Sequence, residues 1–188
     1  MPVYFQRVYP DFKSSFAFIN AMQLIGCGIL SNLFGSLICT RLEKKTHMAK
    51  ALTIVCGNLI GLPFFALACF APTFKIAITS NLFQLLFMSY YLAPAFTMMQ
   101  NSTSPSNAGL VVSAETFFSY IVGTLSPLFF GALANYLGAL ANPRIYGQVI
   151  FMATLLGSAL SNVFYLRAGK EYTKMMRGRE EAEVVGEA

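Results

Sequence analysis

Five apolar stretches, Ser15–Thr40, Met48–Phe70, Phe74–Met99, Gly109–Tyr136 and Tyr146–Leu166, occupy most of this chain. Each supplies the roughly 20 mainly apolar residues that a helix needs to cross a hydrocarbon core. In that medium every backbone N–H and C=O must be paired within its own segment, so the stretches predict helices rather than open strands. The expected fold is all-α and transmembrane, a bundle of five membrane-spanning helices over residues 15–166. Hydrophobic residues make up 56% of the chain and charged residues 11%, less than half the charged share of about 25% in a soluble domain. Soluble classes are therefore excluded, and the expected localisation is an integral, multi-pass membrane protein.

Outside the spans, residues 1–14 form a short segment rich in aromatics (Tyr4, Phe5, Tyr9, Phe12) and lack the compact apolar core of a cleavable signal peptide. They are expected to form an interfacial aromatic belt on the outer side. Residues 167–188 are expected to be a charged cytoplasmic tail, leaving the membrane as a frayed helix or disordered chain, and solvated rather than docked. The net charge of +5 does not indicate nucleic acid, because the charges cluster at span ends. Nine of the 13 basic residues (Arg41, Lys44, Lys45, Lys50, Arg167, Lys170, Lys174, Arg177, Arg179) fall on one side; Arg7, Lys13, Lys75 and Arg144 fall on the other. The positive-inside rule then puts the first loop and the tail in the cytoplasm.

Polar residues inside the spans are unevenly distributed. Asn20, Gln23, Ser31 and Asn32 lie in the first; Asn81, Gln84, Ser89, Tyr90 and Tyr91 in the third; Glu115, Thr116, Ser119 and Tyr120 in the fourth. Asn20 with Gln23, and Asn81 with Gln84, share a helix face at a spacing of three. Such amides find partners either across a helix interface or in a water-filled cavity. The second span offers mainly Thr53 and Asn58, which predicts a peripheral position. Glu115 is the one acidic residue within a span; it reads as a proton carrier or counter-charge, or as a carboxylate held by the helix dipole and a loop cation. Small residues at Gly57 and Gly61, and at Gly157 and Ser161, suit close helix packing. Pro63, Pro94 and Pro127 are expected kinks. The four cysteines read as packing residues with no metal-ligand spacing, and neither metal nor other cofactor is expected. His47 lacks the nucleophile and base of an enzyme at recognisable spacing, so no enzymatic activity is expected.

The string GSLICTRLEKK at the end of the first span, SAETFFSYIVGTLSPLFFGALANYLG in the fourth and YYLAPAFTMMQ between them resemble the carboxy-terminal half of a major facilitator superfamily transporter, closest to the Spinster-like branch. The cytoplasmic loop motif corresponds to Gly35, Arg41, Lys44 and Lys45. The later helix has its Ala-Glu pair at Ala114 and Glu115 and its G-x-x-S-P-x-x-x-G pattern at Gly123, Ser126, Pro127 and Gly131. The loop QNSTSPSNAG departs from the family in carrying no arginine. The resemblance implies the last five helices of a two-half carrier, with spans one, three and four facing a cavity and spans two and five outside. It implies a small-molecule or lipid-like substrate path through Glu115, Asn20, Gln23, Asn81, Gln84 and Ser119, a kink at Pro127, and completion by an amino-terminal half, since one half rocks against the other. The implied partners are membrane lipids and that half or other membrane subunits. The rivals are a non-transporting structural subunit and a truncated gene product.

Overall fold

The computed structural model describes residues 2–186; Met1 and residues 187–188, which belong to the expected terminal segments, lie outside them. Its helices are α1 (Pro2–Val8), α2 (Lys13–Glu43), α3 (Ala49–Phe70), α4 (Phe74–Met88), α5 (Leu92–Asn101), α6 (Ala108–Tyr136) and α7 (Arg144–Gly186), with short 3-10 turns at Pro10–Phe12 and Ser89–Tyr91. Five helical segments are long and apolar enough to cross a membrane, the third of them formed by α4 and α5 together.

The third span is broken where the sequence predicts one helix. Pro94 lacks the N–H that would bond the Tyr90 carbonyl, and its ring crowds that same group, so the chain passes through the Ser89–Tyr91 turn before α5 starts. The turn packs on α2, where a Cβ on Gly35 would stand 3.0 Å from the Tyr90 carbonyl oxygen. At the end of α6, Gly138 adopts φ +88 while the Ala139 N–H bonds the Ala134 carbonyl and the Gly138 N–H bonds that of Asn135. This is a Schellman cap, which satisfies carbonyls that hydrocarbon would leave unpaired.

The second span is not peripheral. α3 lies between α4 and α7, and it is the most deeply packed of the spans. Small residues decide this position, because packing between membrane helices depends on close backbone approach more than on polarity. A Cβ on Gly57 would stand 2.8 Å from the Phe87 carbonyl oxygen, and one on Gly61 would stand 2.4 Å from Met88 Cγ, so both glycines are needed for α4 to seat. By contrast α6 is the least packed span, meeting only α5 and α7 among the major contacts.

The two ends of the bundle are built differently. At one end Tyr4 and Phe5 of α1 are fully buried with Phe16, Phe74, Ala134 and Tyr146. The Tyr4 hydroxyl donates to the Cys69 carbonyl at 2.6 Å, and the Tyr9 hydroxyl donates to that of Ala71 at 2.7 Å. Residues 2–12 thus pack onto the end of the bundle, where two carbonyls at the α3 end need donors. Arg7 stacks over the Tyr146 ring, 5.0 Å from its centroid.

At the other end α7 continues unbroken to Gly186. Its 43 residues span about 65 Å, twice a hydrocarbon core of about 30 Å, so its last part must leave the membrane. That part is docked, contrary to the solvated tail expected. Tyr172 is buried and its hydroxyl accepts from Lys50 Nζ at 2.8 Å and from Asn101 Nδ2 at 3.0 Å. Lys50 also pairs with Glu43, Arg179 donates to the Asn101 carbonyl at 2.8 Å, and His47 Nε2 meets Glu180 at 3.1 Å. Each of these contacts supplies a partner for a polar group at a helix end.

Candidate functional site

The four amides expected along a substrate path separate into different environments. Gln23 and Asn81 are buried against each other between α2 and α4: Asn81 Nδ2 donates to Gln23 Oε1 at 3.0 Å, and Gln23 Nε2 donates to the Ile78 carbonyl at 2.9 Å. Each satisfies the other, which makes them an interhelical clasp. Asn20 is half-buried one turn earlier on α2. Gln84, about one turn further along α4, borders a space lined by α3 and α7, and its Nε2 lies 3.2 Å from Met88 Sδ.

Around Gln84 opens a groove of about 400 Å³, lined by Asn58 and Phe65 of α3, Met88 of α4, Tyr91 of the 3-10 turn, and Thr154, Ser158, Ser161 and Tyr165 of α7. The last four recur at spacings of four, three and four, which places them on one helix face. Asn58 Nδ2 donates to Asn162 Oδ1 at 3.0 Å at the groove's edge. Span five therefore lines a polar site and does not pack outside. The Gly157 and Ser161 pair belongs to this groove, since a Cβ on Gly157 meets nothing within 4 Å.

A hydroxyl on an apolar helix ordinarily bonds back to the carbonyl one turn earlier. Thr53, Thr97, Thr116, Ser126 and Thr173 all do so here. No such bond is formed by Thr154, Ser158 or Ser161, and the Tyr91 and Tyr165 hydroxyls have no side-chain partner among the described residues. Five hydroxyls thus remain available to whatever enters the groove.

Glu115 stands half-buried on α6 and is not among the residues that line this groove. Its carboxylate accepts from Ser119 Oγ at 2.7 Å and forms no ion pair among the described residues. The loop cation that would make Glu115 a structural pair is absent among the described residues, while Arg41, Lys44 and Lys45 are exposed at the α2 end with Gly35 buried behind them. Pro127 lies inside α6 on an exposed face, next to Ser126, whose hydroxyl bonds the Val122 carbonyl at 2.6 Å.

Two further clefts adjoin the groove along α7. One, of about 570 Å³, is lined by Met98, Met99, Val111, Met175 and again Tyr165. The other, of about 500 Å³, lies between Phe130 and Leu133 of α6, with Leu137 just past its end, and Ile145, Val149, Met152 and Leu156 of α7. The face of α7 is thus apolar, polar and apolar in turn from one end of the span to the other. A signal for the polar third exists in the spacing of Thr154, Ser158, Ser161 and Tyr165, but the small residues between them read as packing. Three of the cysteines are buried, Cys56 is exposed, and no group of metal-ligating residues occurs among the described residues. No protein-family model matches this chain, and neither a curated protein nor a solved structure matches it.

Proposed function

We propose that this chain is the carboxy-terminal portion of a secondary-active membrane transporter for a small organic or lipid-like solute, acting together with an amino-terminal half. That half is either joined in a longer polypeptide or supplied as a separate subunit. The observation that carries this reading is the Glu115 carboxylate within a span, which forms no ion pair among the described residues. An ionisable group in hydrocarbon is costly, and one with no cationic partner needs a proton or a ligand to neutralise it. The resemblance of the fourth span to a transporter helix supports the same reading, as does the open α6, which a second half would cover. Glu115 binds or relays charge, Ser119 orients it, and Gln84 lines the path; Gln23 and Asn81 hold α2 to α4.

A structural-subunit reading draws on a different observation. A Cβ added at Gly26, Gly28, Gly123 or Gly131 would meet nothing within 4 Å, which leaves thin faces on α2 and α6 that another helix could occupy. Reconstitution with a complementary half separates the two. Solute uptake that depends on both halves, and is lost in Glu115→Gln while assembly persists, is the expected result. Unchanged uptake in Glu115→Gln rejects the assigned role, and a complex that assembles but moves no solute supports the structural reading.

A further inference from the structure

Between Met152 and Arg177, α7 carries two opposite faces. One is spent on the bundle: Thr154, Ser158, Ser161 and Tyr165 line the polar groove, and the same line continues through Gly169, Tyr172 and Met176 onto Ala51 and Met98. The other begins with Met152, Leu156, Leu160 and Val163, each at least 49% exposed within the span. It runs on into Arg167, Lys170, Lys174 and Arg177, all of them exposed. Successive spacings of four, four, three, four, three, four and three keep these eight residues on a single stripe of the helix. The stripe turns from apolar to basic where the apolar stretch ends, at Leu166. It closes at Glu181, the next position in the same register.

We propose that Arg167, Lys170 and Arg177 bind anionic phospholipid headgroups in the leaflet where α7 leaves the membrane, while the acyl chains lie along Val163, Leu160, Leu156 and Met152. Because the register does not change, the surface that meets acyl chains in the span is the one that meets headgroups at its end. Arg167 and Lys170 stand in the layer of about 5–7 Å that follows the hydrocarbon edge. Arg177 lies about 15 Å further along the axis than Arg167; its long side chain reaches back toward the headgroups, within about a Debye length of them. A guanidinium suits a phosphate because it donates two parallel N–H bonds. Lys174 is the lesser member, since its Nζ is already paired with Glu171 at 2.8 Å. An acidic protein is the poorer occupant, because to reach Arg167 and Lys170 it would have to enter the headgroup layer.

This inference goes beyond the transport reading and does not rest on it. The full chain is reconstituted in phosphatidylcholine vesicles, and electron spin resonance compares spin-labelled phosphatidylserine with spin-labelled phosphatidylcholine in the layer next to the protein. At about 10 mM salt the serine lipid should be enriched at least about threefold, and at about 1 M salt, where charges are screened beyond about 3 Å, it should fall to parity. Arg167→Gln, Lys170→Gln and Arg177→Gln together should abolish most of the enrichment. Lys44→Gln with Lys45→Gln, at the same end of the bundle but on α2 and its loop, should keep most of it. Circular dichroism melting in the same vesicles confirms that both variants are folded, and all five positions are exposed. Absence of enrichment around the wild-type chain overturns the proposal, as does an enrichment that high salt leaves intact. An undiminished enrichment in the folded triple variant would also overturn it and leave the stripe to an acidic protein. Equal loss in the Lys44 and Lys45 variant would overturn the assignment to α7.

Discussion

A buried amide in this chain does one of two things, and its neighbours decide which. Gln23 and Asn81 satisfy each other inside the α2–α4 contact, whereas Gln84 has only a sulfur beside its amide nitrogen. The spacing of three places each pair on a common face, but a face does not name the helix opposite it. That is why Asn20, Gln23, Asn81 and Gln84 look alike in the sequence and do not act alike. Hydrogen bonds between membrane helices contribute about 0.6 kcal/mol on average and up to about 1.7. A double-mutant cycle of Gln23→Leu and Asn81→Leu, followed by unfolding in mixed micelles, should give a coupling in that range, while Asn20→Leu should add to either single change without coupling. At the other end of the molecule, burial pushes the Tyr4 hydroxyl well above the ordinary tyrosine range, with neighbouring Tyr9 and Cys69 acting in the same direction. A folded pKa above the unfolded value of about 10 means that stability is fully present below pH 10 and falls as pH rises beyond it. Tyr4→Phe should therefore flatten the alkaline loss of thermal stability, at the cost of the bond to Cys69; an equally steep loss in the variant would remove Tyr4 from that account.

Helices follow from composition here, but their order of packing follows from where side chains are missing. Long apolar runs mark all five spans because backbone pairing in hydrocarbon leaves few alternatives. The break at Ser89–Tyr91 is foreshadowed by Pro94, and the central place of α3 by Gly57 and Gly61, although its few polar residues argue for the periphery. Gly57 and Gly157 sit in the same small-xxx-small spacing and differ in what surrounds them. A Cβ on Gly57 meets the Phe87 backbone oxygen at 2.8 Å, whereas one on Gly157 meets open space. Gly57→Ala should cost about 1–3 kcal/mol, the penalty of overpacking a close contact. Gly157→Ala should stay within about 0.5 kcal/mol, and equal effects of the two would contradict the assigned contacts. The docked part of α7 is not visible in the sequence because its charges read as solvation. Tyr172 is the residue that reverses this, taking hydrogen bonds from both Lys50 and Asn101. Tyr172→Phe should lower stability by about 1.5–3 kcal/mol, the range for hydrogen bonds to a charged group, and should expose the segment after Arg167 to trypsin. Unchanged protection would place the docking elsewhere.

For the whole molecule, an odd number of crossings separates two chemically different ends. One gathers Tyr4, Tyr9, Phe74 and Tyr146 with four basic residues nearby, and the other gathers Glu43, Lys50, Asn101 and Tyr172 among nine. The positive-inside rule assigns the second end to the cytoplasm. Asn101 heads the acceptor sequence Asn101-Ser102-Thr103 and lies at this second end, where its amide nitrogen donates to the Tyr172 hydroxyl at 3.0 Å, so the assignment predicts no glycan there. The four native cysteines lie within spans, beyond easy reach of a charged, water-soluble maleimide. Lys75→Cys and Lys174→Cys place a reactive thiol at opposite ends, on residues that are exposed. Lys75→Cys should label in intact cells, and Lys174→Cys only after the membrane is permeabilised. Labelling in the inverse order would reverse the orientation while keeping five crossings. Labelling of both from the same side would require an even number of crossings, and would separate α7 from the Lys50 and Asn101 contacts that hold its extension in place.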